Sequence, residues 1–124
     1  MRYEVKIPLP QDLLSEGNKT DSFWKKRDRK KRKHFWLATY FRVELIKLPC
    51  KVTLTRIAPR ELDYDNLVTT GKHFRDWISD KLIPGLQPGR ADSDKRIEWE
   101  YKQEKGQVRE YAIRIEIVSS LPVS

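Results

Sequence analysis

The sequence predicts a single α/β domain over residues 1–124, with a mixed or antiparallel sheet packed by about two helices in the order β-α-β-α-β-β. Three observations predict it. Three short segments alternate apolar and polar residues, and a fourth is rich in β-branched ones. Two longer segments repeat apolar residues at helical spacing. A chain of 124 residues can bury one core but not two, and no repeat or low-complexity linker divides it.

The elements follow in order. Tyr3, Val5 and Ile7 alternate with Arg2, Glu4 and Lys6, a strand that Pro8 and Pro10 end. Residues 11–22 are polar, contain Gly17 and Asn18, and read as a loop. The stripe Leu37, Phe41, Leu45 and Leu48, with Ala38 beside it, predicts a helix that begins inside the basic run and that Pro49 terminates. Val52, Leu54 and Ile57 predict the second strand, closed by Pro59. Asp65 and Asn66 are good N-cap residues for a second helix, whose buried face is Leu67, Phe74, Trp77, Ile78 and Leu82. Gly71 interrupts that helix pattern. Residues 83–89 are turn chemistry throughout. Two alternating segments, 97–101 and 111–117, flank a plausible hairpin turn at 104–107, and the tail from Ser119 reads as frayed.

Charge narrows the partner class. The net charge is +8 and the pI about 9.7, a field that concentrates polyanions, so nucleic acid leads. The plain alternative is a soluble basic protein. Most of the charge is concentrated in Lys25, Lys26, Arg27, Arg29, Lys30, Lys31, Arg32 and Lys33, interrupted only by Asp28 and flanked by Trp24 and Trp36. Cations at a helix start oppose the macrodipole, so local stability does not explain them, whereas phosphate contact does. A solvated basic arm is the alternative. His34 reads as a helix-surface residue and not as a ligand.

The lone Cys50 forms no internal disulfide, and no Cys/His set has zinc spacing. The first residues lack the apolar run of a signal peptide, and nothing approaches membrane-spanning length. The expectation is a soluble cytoplasmic domain with no membrane partner.

Against this basic background stand two acidic clusters, Asp63-Tyr64-Asp65-Asn66 and Asp92-Ser93-Asp94. In an extended segment Asp63 and Asp65 point to one side, and a helix packed back on the sheet could bring Asp92 and Asp94 to them. Gathered carboxylates repel unless a cation neutralises them, and Mg²⁺ suits an all-oxygen set that leaves positions for water and phosphate. A calcium loop of the EF-hand type is excluded, because Arg96, Ile97 and Gln103 stand where an oxygen ligand, glycine and glutamate are required. The structural alternative is that Asp63 and Asp65 cap a helix while Asp92 and Asp94 populate a loop.

At these residues the chain resembles the RusA family of Holliday-junction resolvases. Asp63, Asp65 and Asn66 match the family's Asp-x-Asp-Asn element, Lys72 and Asp76 its Lys-x-x-x-Asp helix, and Asp94 with Ile97 its Asp-Asp-x-x-aliphatic turn. The likeness extends to the first strand, the loop with Asn18 and the basic helix. There are two departures. Lys72 comes three residues late, a shift of about 300° and 4.5 Å along a helix, unless residues 69–71 bulge. The paired aspartates are split by Ser93, behind a longer loop.

The resemblance implies a homodimer of a Mg²⁺-dependent endonuclease, with Mn²⁺ as the alternative ion, that resolves four-way DNA junctions by symmetric hydrolysis. It places the protein in DNA recombination and repair, in a bacterial cell or phage-infected host. It implies that Asp63, Asp65 and Asp94 hold the metal, with Asp92 auxiliary, and that Lys72 binds the scissile phosphate, oriented by Asp76 at i, i+4. The basic run, residues 25–33, would track DNA phosphates. Two other readings are carried: a non-catalytic DNA-binding protein, and a metal-dependent nuclease for other branched DNA.

Overall fold

The computed structural model describes residues 2–14, 22–41, 48–83 and 94–119. Four strands and two long helices follow the predicted order: β1 (Arg2–Pro8), α1 (Phe23–Tyr40), β2 (Cys50–Ala58), α2 (Tyr64–Leu82), β3 (Ile97–Lys105) and β4 (Ala112–Ser119). They form a mixed sheet of order β1-β4-β2-β3, in which β2 and β3 are parallel and the other pairs antiparallel. β2-α2-β3 is therefore a βαβ crossover, the connection that parallel neighbours require.

Strand alternation sorts the sheet into two faces. Tyr3, Ile117, Val52 and Trp99 form one cross-strand row, and Val5, Ile115, Leu54 and Tyr101 the next. These rows join the core with Leu37, Phe74, Ile78 and Leu82 from the helices. The opposite face is charged and paired across strands, as in Arg2–Glu116 at 2.9 Å, Lys51–Glu100 at 2.8 Å and Arg114–Glu104 at 2.6 Å. This is a two-layer domain with helices on one side.

Four expectations are corrected. β3 and β4 are not a hairpin: β2 lies between them, and residues 106–111 cross its end, with the Gly106 N–H donating to the Ala58 carbonyl at 2.9 Å. Alternation in two neighbouring segments shows that each is a strand but not that they pair. Residues 11–14 are not loop but a 3-10 turn, Gln11–Leu14, because Leu13 and Leu14 are wholly buried. α1 starts ahead of the basic run, capped by the Ser22 hydroxyl on the Lys25 N–H at 3.3 Å, and ends at Tyr40. Leu48 is outside that helix; Leu45 lies outside the described residues. Finally, the cap of α2 is Asp63, so Asp65 falls inside the first turn.

Gly71 does not break α2. It lets the helix press on β3: a Cβ there would stand 2.7 Å from Tyr101 Cε1. Among the described residues no helix is long and apolar enough to cross a membrane.

Candidate functional site

The first acidic cluster sits where β2 ends and α2 begins. Asp63 has extended backbone and uses both carboxylate oxygens on Asn66, accepting its N–H at 2.9 Å and its side-chain amide at 3.1 Å. Asp65 is exposed in the first turn, where the helix dipole favours an anion. The two aspartates therefore do not share one extended segment. Lys72 is exposed on the same unbroken helix, seven residues beyond Asp65. That is about 20° short of two turns, so Lys72 returns to the face of Asp65 about 10 Å along the axis. Asp76 is one turn further on, and no bulge intervenes at residues 69–71.

Two side chains that the motif reading passed over hold this loop. Gln103 on β3 accepts the Leu62 N–H at 2.8 Å and donates to its carbonyl at 2.7 Å. Arg56, buried in β2, donates to the Arg60 carbonyl at 2.6 Å and the Leu14 carbonyl at 2.7 Å. Burial moves the Arg56 pKa down from its ordinary value. The sequence signal was a cation in the slot that alternation from Val52 and Leu54 assigns to the core.

Asp94 is placed elsewhere. Its carbonyl accepts from the first residue of β3, Ile97, at 3.2 Å. Its carboxylate accepts the Arg96 backbone N–H at 2.9 Å, Nε at 3.0 Å and Nη2 at 2.9 Å. The guanidinium holds the Asp94 pKa down to about 2.

Leu62 is fixed to Gln103, and Asp94 stands beyond Ile97, so Asp63 and Asp94 flank opposite ends of β3. From Ile97 to Gln103 is about 20 Å of extended chain. The expectation that α2 brings the clusters together within one chain is thus corrected for Asp94: α2 spans the length of the strand and leaves Asp63 and Asp94 at either end. Among the described residues no three His, Cys, Asp or Glu side chains gather as a metal site. Asp92 lies outside the described residues.

The basic run is split by the helical period. Arg29, Lys33 and Leu37 form the inward stripe of α1, with Arg29 8% exposed and Lys33 not at all. Lys33 Nζ donates to the Thr70 carbonyl at 3.3 Å and lies 5.3 Å from the Phe74 ring centre, joining α1 to α2. Arg32 forks onto Asp12 at 2.6 and 3.1 Å. The expectation that the whole run meets phosphate is therefore corrected at Arg29 and Lys33, which are buried, while Arg32 is half-exposed and paired with Asp12. Lys25, Lys26, Arg27, Lys30 and Lys31 are exposed.

Lys26, Arg27, Lys30 and Lys31 line an open groove of about 470 Å³ with Phe23 and His34; His73 of α2 also lines it. Burial, with Lys30 close by, lowers the His34 pKa from its ordinary value. Of the two flanking tryptophans, Trp36 packs on the core and stacks on Tyr40 at 5.9 Å, whereas Trp24 is exposed.

No family model matches the chain, and no curated protein matches it.

Proposed function

We propose that the chain is a Mg²⁺-dependent endonuclease of the RusA type, acting as a homodimer on four-way DNA junctions in recombination and repair. The observation that carries this reading is the start of α2. There Asp63 caps through Asn66, and Asp65 presents an exposed carboxylate on the face to which Lys72 returns. Asp94, immediately ahead of β3, occupies the place in the element order that the resemblance implies.

Because Asp94 stands at the far end of β3 from Asp63 and Asp65, a site using all three needs two copies. A second chain turned end for end sets its Asp94 beside the first chain's Asp63 and Asp65, and the symmetry makes two such sites. Asp65 of one copy and Asp94 of the other would then hold Mg²⁺, which when bound supplies an activated water and charge neutralisation at phosphorus. Lys72 would grip the scissile phosphate and oppose the charge that builds on it. The exposed cations of α1 supply duplex affinity. The reading places the protein in the cytoplasm of a bacterial or phage-infected cell.

Complementation tests it. Wild type should nick a synthetic four-way junction with Mg²⁺, or with Mn²⁺ in its place, while sparing linear duplex. Asp65→Asn and Asp94→Asn should each be inactive alone. Mixed, they should regain nicking, because one site of each mixed dimer then carries both native acids. If each site lay within one chain, the mixture would stay inactive.

A second reading has its own observation. The carboxylates of Asp63 and Asp94 are engaged by Asn66 and Arg96, as structural aspartates would be. A non-catalytic DNA-binding protein would bind the junction and show no metal-dependent nicking by any mixture.

A further inference from the structure

The first turns of α1 are inverted relative to an ordinary amphipathic helix. Arg29 and Lys33 face the core, while Phe23 and Trp24 are 69% and 70% exposed. Their rings meet edge to face at 5.4 Å, and the Arg27 guanidinium lies 5.9 Å from the Trp24 ring centre. Exposing two large rings side by side sacrifices hydrophobic stabilisation, and nothing in the packing of the described core requires it. Phe23 lines the groove with the cations Lys26, Arg27, Lys30 and Lys31, and Trp24 adjoins it through Phe23.

We propose that this face of α1 binds a nucleic-acid strand through unpaired nucleotides, with phosphates along Lys26 and Lys30 in the groove and a base stacked on Trp24, which adjoins the groove through Phe23. Charge complementarity selects a polyanion, and the paired rings select one that offers a flat π face. In duplex DNA those faces are already stacked, so only phosphates remain to be bound. A strand with free bases satisfies both features, as in general single-strand recognition. An anionic bilayer shares the chemistry of cations beside aromatics but offers no free base to stack on Trp24, and the vesicle arm of the test separates the two.

The inference rests on the nucleic-acid part of the proposed function and not on its cleavage chemistry, so it is tested without metal. Full-length protein in EDTA is titrated against a labelled oligothymidylate, a duplex of equal length and anionic vesicles of phosphatidylserine and phosphatidylcholine. Trp24→Ala should weaken oligothymidylate binding about 5- to 150-fold, and duplex binding less than about twofold. Trp24→Phe should restore most of the loss. Lys26→Ala with Lys30→Ala should weaken both nucleic acids and lower the single-strand salt slope by about 1.4. Unchanged oligothymidylate binding by Trp24→Ala overturns the proposal, as does an equal loss for strand and duplex. Vesicles that displace the oligothymidylate at lower concentration than competitor strand overturn it too. Junction nicking that survives with an unaffected Trp24→Ala removes only this inference. Failure of all nicking with intact strand binding removes only the nuclease.

Discussion

The side-chain amide of Gln103 grips the backbone of Leu62 at both ends, accepting its N–H at 2.8 Å and donating to its carbonyl at 2.7 Å. The grip joins the C-terminal part of β3 to the residue before Asp63. It mimics one rung of a strand ladder, extended sideways to a loop, and so orients the start of α2. Gln103→Ala should leave both backbone groups without that partner and cost about 1–3 kcal/mol in denaturant unfolding. Junction nicking should fall further than stability alone explains. A variant of wild-type stability would show that water replaces the amide without loss.

Gly71 and Tyr101 set how closely α2 lies on the sheet. Alanine in a helix interior is favoured over glycine by about 1 kcal/mol. Here its Cβ would meet the Tyr101 ring at 2.7 Å, and that ring is held by an Arg75 contact to its hydroxyl at 3.3 Å. Gly71→Ala is expected to destabilise by about 1–3 kcal/mol despite the propensity gain, because the helix must lift from β3. A raised melting temperature would mean that the ring swings aside freely.

Lys33 and Lys25 belong to one basic run but do different work. Lys33 is fully buried between the helices, so Lys33→Ala should cost roughly 2–5 kcal/mol in unfolding, as for other long buried side chains. Lys25→Ala should stay within about 0.5 kcal/mol. DNA binding should show the reverse. Lys25→Ala should lower the duplex salt slope by about 0.9, and Lys33→Met should leave it unchanged. Equal slopes for the two variants would contradict the division of the run.

Asp12 and Arg32 tie the 3-10 turn to α1, and the guanidinium lowers the Asp12 pKa from its ordinary 3.8. A carboxylate whose folded pKa is depressed contributes stability that is complete above the unfolded value and lost as the pH falls through the folded one. Unfolding free energy should therefore decline more steeply below about pH 4 in wild type than in Arg32→Ala. The exposed geometry and salt screening keep the difference small. Parallel profiles would show that the pair does not hold the carboxylate.

The elements of the fold were legible in the sequence because alternation and helical spacing are local properties. Tyr3, Val5 and Ile7 mark a strand wherever it pairs, and Leu67, Phe74 and Ile78 mark a helix face whatever covers it. The same locality explains the misses. A hairpin was expected for 97–101 and 111–117 because they are neighbours in sequence, whereas β2 fills the gap between them. Nothing within either segment encodes a third strand.

The motif residues were legible by type and order, and their meeting was not. Sequence determined an acidic pair at the start of α2, an acid ahead of β3 and a dense basic run. Tertiary structure decided that α2 and β3 run the same span and separate Asp63 from Asp94 by the length of a strand. It also decided that the period of α1 turns Arg29 and Lys33 inward while Phe23, Trp24 and Lys26 face out. The physical reason is the same in both cases. Residue chemistry is carried by each side chain, but distance and exposure are set by rigid elements packing against partners far away in the chain.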